Sequence, residues 1–121
     1  MATEGQKLAG TVGLATPLYD GRTAHAGGGQ AAADQVPGVL CSVVRYTTVA
    51  TIGDSCVLPI PPTTSSADIT IINKGANSMN VFPQVGGTIN GGAANAAFAL
   101  ASGKTVNCFS VGTDWHVLLS A

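Results

Sequence analysis

Between residues 69 and 119 the chain never runs straight for long. The text ITIINKGANSMNVFPQVGGTINGGAANAAFALASGKTVNCFSVGTDWHVLL alternates short β-branched and aromatic runs with Gly, Asn and Ser. An isolated helix needs about 12–15 residues to hold in water, and no unbroken run here is that long. β-Branched and aromatic side chains suit a pleated, half-buried surface. Gly, Asn and Ser supply the turns between such runs. The stretch therefore predicts a compact antiparallel β unit.

The pattern extends upstream. VLCSVVRYTTVA, residues 39–50, reads as a strand with apolar residues on both faces, and Gly53-Asp54 turns it. SCVLPI, residues 55–60, reads as a short strand that stops at Pro59, Pro61 and Pro62, because proline cannot donate to a ladder. Strands are then expected over 68–73 and 79–83, joined by a five-residue connection suited to a hairpin. Smaller pieces follow at 88–90 and 97–100, then strands over 104–111 and 114–119, the last with Trp115, Val117 and Leu119 on its core face. About seven or eight short strands at intervals of roughly 8–12 residues give the fold class: all-β, a small antiparallel β-sandwich or barrel. Tight turns favour hairpins or a meander over βαβ units.

The first third differs. Residues 1–35 are rich in Gly, Ala and Thr, and Gly10, Gly13, Gly21 and Gly27-Gly28-Gly29 interrupt any regular element. Apolar side chains come singly, as Leu8, Val12, Leu14, Leu18 and Tyr19, with Pro17 among them. This predicts an extended N-terminal arm over 1–35, its apolar residues placed against a neighbouring subunit, and a β domain over 36–121. Residues 31–35 suit a single helical turn.

Charge limits the function classes. Asp, Glu, Lys and Arg make up 9% of the chain, against about 25% in ordinary soluble domains. A surface this poor in charge suits a subunit covered by its neighbours. Net charge is −1, and Lys7, Arg22, Arg45, Lys74 and Lys104 are scattered, so no nucleic-acid partner is expected. No apolar run approaches a membrane span, and MATEGQKLAG has no apolar leader core, so no membrane is expected and synthesis in a cytoplasm is.

Catalytic and metal chemistry find little support. Cys41, Cys56 and Cys108 lack metal-site spacing and read as small buried hydrophobes. Asp114 and His116 share a strand face, but no nucleophile-positioning turn accompanies them. Gly27-Gly28-Gly29 lacks the strand, helix and Lys of a phosphate loop. The expectation is a protein that is not an enzyme and holds no cofactor or metal.

One family resemblance stands out. Asn73-Lys74-Gly75-Ala76, then Val81-Phe82-Pro83, then Gly87, Ile89 and Asn90 follow the order N-x-G-A, V-(F/Y)-P, G-x-x-I-N. An alanine-rich stretch, a Ser102-Gly103 turn, a strand ending near Phe109, and Gly112 with Trp115 complete it. This resembles a β module of structural proteins in tailed-bacteriophage virions, most like head decoration (capsid cement) proteins. The resemblance implies a homotrimer on the outer capsid surface, tying major capsid protein subunits together. It is also similar to parts of tail and fibre proteins, which implies host recognition as the alternative. In this reading Asn73, Gly75, Gly87 and Asn90 shape turns, Val81, Phe82 and Pro83 make a strand with an enforced stop, and Ile89, Phe109 and Trp115 fill the core.

Overall fold

The computed structural model describes residues 15–27, 29–37 and 41–121. Among these, the strands are β1 (Leu18–Thr23), β2 (Asp34–Gln35), β3 (Cys41–Thr48), β4 (Ser55–Val57), β5 (Asp68–Asn73), β6 (Met79–Phe82), β7 (Thr88–Ile89), β8 (Phe98–Leu100), β9 (Thr105–Val111) and β10 (Asp114–Leu119). One helical turn, α1 (Gly29–Ala32), lies between β1 and β2. The strands form a six-stranded sheet, β1-β3-β5-β9-β10-β7, and a four-stranded sheet, β2-β4-β6-β8.

The path alternates between the sheets. β1, β3 and β5 enter the larger sheet and β2, β4 and β6 the smaller one, each parallel to the strand before it. The pairs β1/β2, β3/β4 and β5/β6 thus stack as three rungs of a solenoid-like winding. Antiparallel strands finish both sheets: β8 on β6, β9 on β5, and β10 on β9. β7 lies parallel on the far edge of β10.

The all-β class is as expected, and β5 and β10 fall on the expected residues. The small antiparallel sandwich or barrel built from hairpins or a meander is not: the first three strands of each sheet pair in parallel and stack as rungs. The connection over 74–78 makes no hairpin, because β5 and β6 lie in different sheets. It is a corner that stacks on the corner of the rung before. Asn77 Nδ2 donates to Val49 O and Ala50 O, at 2.9 and 3.0 Å, and Gly53 N donates to Ser78 O at 3.1 Å. Strand periodicity and turn chemistry look alike whether a turn returns the chain to its own sheet or carries it to the other. Contacts between rungs decide between the two.

The core lies between the sheets. Val44, Tyr46, Ile69, Ile71, Val106, Cys108 and Trp115 come from the larger sheet, and Cys56, Met79, Val81 and Leu100 from the smaller. Their strands show the alternation of a sheet with one buried face, clearest in β9 and β5. On β10, Trp115 is buried and Val117 packs against the core, but Leu119 is 53% exposed, so the expected core face frays at its end.

The boundary at residue 36 also changes. Of the arm expected over 1–35, Leu8, Val12 and Leu14 lie outside the described residues. Residues 18–27 and 29–35 form the first rung of the sheets. Pro17 O accepts from Val43 N at 2.9 Å, Leu18 and Tyr19 register against Val43 and Val44, and Val36 is buried with its N–H on Val57 O. Tyr19 packs on this chain's own core, while Leu18 stays exposed. Isolated apolar residues among glycines suggested an arm. Parallel pairing to a strand more than twenty residues on leaves no local signal in the sequence.

Candidate functional site

Residues between Asn73 and Val117 assemble two polar nodes. At the first, β5 ends on Asn73, which is fully buried. Its Nδ2 donates to Asn77 O and Leu100 O, both at 2.9 Å, and its Oδ1 accepts from Gly75 N at 2.9 Å. One side chain thus holds its own corner and ties it to β8. Gly75 sits against the preceding rung: a Cβ there would fall 2.6 Å from Val49 N, so only glycine fits.

At the second node, Trp115 is fully buried and its indole Nε1 donates to Gln84 Oε1 at 2.9 Å. Gln84 Nε2 donates to Thr113 O at 2.8 Å. A Cβ on Gly87 would meet the Gln84 amide at 2.6 Å, which accounts for the glycine in the motif. Asn90 has φ 56°, a conformation that asparagine tolerates, and its Oδ1 accepts from Val117 N at 3.0 Å. Sequence reading placed Trp115, Gly87, Ile89 and Asn90 here but missed Gln84. The signal was a polar residue directly after the strand-stopping Pro83, before two glycines.

Val81 and Pro83 are buried and Phe82 is half-buried. Phe109, expected to fill the core, does not. It lies half-buried on the outer face of the six-stranded sheet, its ring stacked on His116 with centroids 5.7 Å apart. The inner face of β9 at this point is taken by Cys108, the small buried hydrophobe the sequence suggests.

A third polar cluster joins three strands at the first rung. Arg22 on β1 grips the Asp34 carboxylate on β2 through Nε and Nη2, at 2.7–3.1 Å. Tyr46 on β3 donates its hydroxyl to the same carboxylate at 2.7 Å. The bond to Asp34 raises the Arg22 pKa, and burial raises that of Tyr46. Arg45 and Asp20 pair nearby on the surface, where the bond from Arg45 lowers the Asp20 pKa. The bond to Asp20 likewise raises the Arg45 pKa, so both guanidinium groups stay charged near neutrality.

None of this forms a reactive constellation. Asp114 accepts from Thr88 Oγ1 at 2.8 Å, while His116 faces Phe109. No group of three or more His, Cys, Asp or Glu residues suited to a metal ion occurs among the described residues. Cys56 and Cys108 are buried, and burial raises both thiol pKa values, that of Cys108 to about 12. Such thiols are inert. Cys41, expected to be buried, is exposed at the start of β3.

Among the described residues an apolar groove of about 590 Å3 opens on the surface. α1 contributes Gln30 and Ala31, and the stretches following β4 and β6 contribute Leu58, Pro59, Ile60, Gln84 and Val85. Gln30 Nε2 anchors the helical turn to Pro83 O at 2.7 Å. Ile60 and Val85 are 77% and 80% exposed, the two most exposed large hydrophobics among the described residues.

No family model, curated protein or solved structure matches this chain.

Proposed function

We propose that this chain is a non-enzymatic capsid decoration (cement) protein of a tailed bacteriophage. It binds the outside of the head as a homotrimer and stabilises contacts between major capsid protein subunits. The observation that carries the reading is the groove bordered by Ile60 and Val85 on a chain with 9% charged residues. The order of motifs from Asn73 to Trp115 supports the phage context. A protein that binds only the assembled shell stabilises it by mass action.

The test is co-sedimentation with shells of the major capsid protein lacking this component, followed by heating. Wild type should sediment with the shells and raise their disruption temperature. Ile60→Asp with Val85→Asp should fold normally and lose at least about tenfold in binding, the scale of 1.4 kcal/mol. Failure of the wild-type protein to bind any such shell would remove the proposal. The alternative, a tail or fibre module in host recognition, is favoured by one feature: Phe109 and His116 stack on an outer face beside Asp68 and Asn107. Glycan binding that is lost in Phe109→Ala, with no shell binding, would select it.

A further inference from the structure

The first rung is attached differently from the rungs below it. Among its described residues, 18–27 and 29–36, only Ala24 and Val36 are buried apolar side chains, with Tyr19 half-buried. β5 alone buries Ile69 and Ile71, and β9 buries Val106 and Cys108. What holds the first rung is mainly polar. Asp34 accepts from Arg22 and from Tyr46. Ala24 N donates to Thr48 O at 3.0 Å, His25 N to Ser55 O at 2.9 Å, and Val36 N to Val57 O at 3.0 Å. A segment rich in hydrogen bonds and poor in buried apolar surface opens at a lower free energy than the core.

Its place in the topology adds a second argument. β1 and β2 are edge strands of the two sheets, on the same side of the molecule. The rung can leave both sheets without breaking any other strand pairing, and its departure uncovers the edges of β3 and β4 together. Those edges are specific. They require a parallel strand with an arginine, then a second parallel strand with a carboxylate that meets both that arginine and Tyr46. A second copy of the chain carries this combination, and exchange of an identical element remakes every contact it breaks.

We propose that the first rung, with its described residues 18–27 and 29–36, is an exchangeable element. It opens as a unit and pairs onto β3 and β4 of a second copy, where its Asp34 accepts from that copy's Tyr46. The proposal is independent of capsid binding, because exchange takes place, or fails, in the isolated protein.

Thr23 and Thr48 are register partners on β1 and β3, and both are exposed. In a full-length Cys41→Ser background, a control chain carries Thr23→Cys and Thr48→Cys together. Two further chains carry one of these changes each and are mixed before mild oxidation. The control should close an internal disulfide. The mixture should give a dimer linked between positions 23 and 48, identified from its linked peptides, with a yield that rises with concentration. Asp34→Asn should speed its formation about tenfold or more, the scale of one lost hydrogen bond to a charged group. A control that closes while the mixture gives no 23–48 linkage overturns the proposal. If the control does not close, amide exchange in the unmodified protein decides. Exchange at Ala24, His25 and Val36 about tenfold or more faster than in β5 and β9 supports a rung that opens as a unit, and equal protection overturns it.

Discussion

Replacing Gln84 by Leu tests whether the motif between Val81 and Asn90 serves to seat Trp115. Leucine keeps most of the volume and removes both hydrogen-bonding ends. The indole N–H of Trp115, fully buried, then loses its acceptor, and Thr113 O loses its donor. Thr113 is exposed, so water replaces the second bond and the cost falls on the indole. A buried donor left without a partner costs about 1–3 kcal/mol, so the expected loss is about 2 kcal/mol. A chain of this size holds roughly 6–18 kcal/mol in total. With a urea slope of about 1.5 kcal/mol/M, the midpoint should fall by about 1.3 M with the slope unchanged. Trp115→Phe removes the donor itself. The double variant should therefore cost less than the sum of the singles, by about 1–2 kcal/mol. A Gln84→Leu midpoint within about 0.3 M of wild type would refute the reasoning, as would strict additivity in the cycle.

The other node and the buried thiols give further expectations. Gly75→Ala drives a methyl into Val49 N, which is backbone and cannot rotate away, so urea unfolding should show a loss of about 3 kcal/mol, at the upper end of overpacking costs. Gly112→Ala, in a β9–β10 turn with open space around it, meets only the penalty of its φ of 64° and should cost about 1 kcal/mol. Thiol titration of the folded protein should count one fast-reacting cysteine, Cys41, and three in denaturant; fast labelling of Cys56 in the folded state would contradict its burial. Stability should also fall as pH rises. Cys56 and Cys108 stay protonated when folded but ionise above about pH 9 when unfolded, so the unfolded state binds fewer protons there. The slope should be about −1.4 kcal/mol per pH unit for each thiol. Cys108→Ala, compared as slopes between pH 9 and 11, should remove one thiol's share, and an unchanged slope would exclude Cys108 as a contributor.

Some of this was legible in the residues. The boundaries of β5 and β10 follow from period-two alternation bounded by glycine, asparagine and proline, because that information is local. Trp115 as a core residue follows from its size and its place on an alternating strand. Gly75 and Gly87 were recognisable as turn glycines, but the reason each must be glycine was not: one faces Val49 of the previous rung and the other the amide of Gln84. Cys108 and Phe109 both read as buried, but adjacent strand residues face opposite ways, and only Cys108 takes the inner face. The groove was not legible at all, since α1 and the ends of β4 and β6 meet only in the folded chain.

Composition and spacing alone therefore determined an all-β chain of short strands with a surface poor in charge. These depend on side-chain size, branching and charge, which the sequence states outright. The tertiary structure decided that the early strands alternate between two sheets, that residues 18–27 and 29–35 are a rung held by Arg22, Asp34 and Tyr46, and that Ile60 and Val85 stand out beside an apolar groove. Pairing direction is a contest between rungs distant in the chain. It is settled by what packs on each corner, and a single corner such as residues 74–78 reads the same under either outcome.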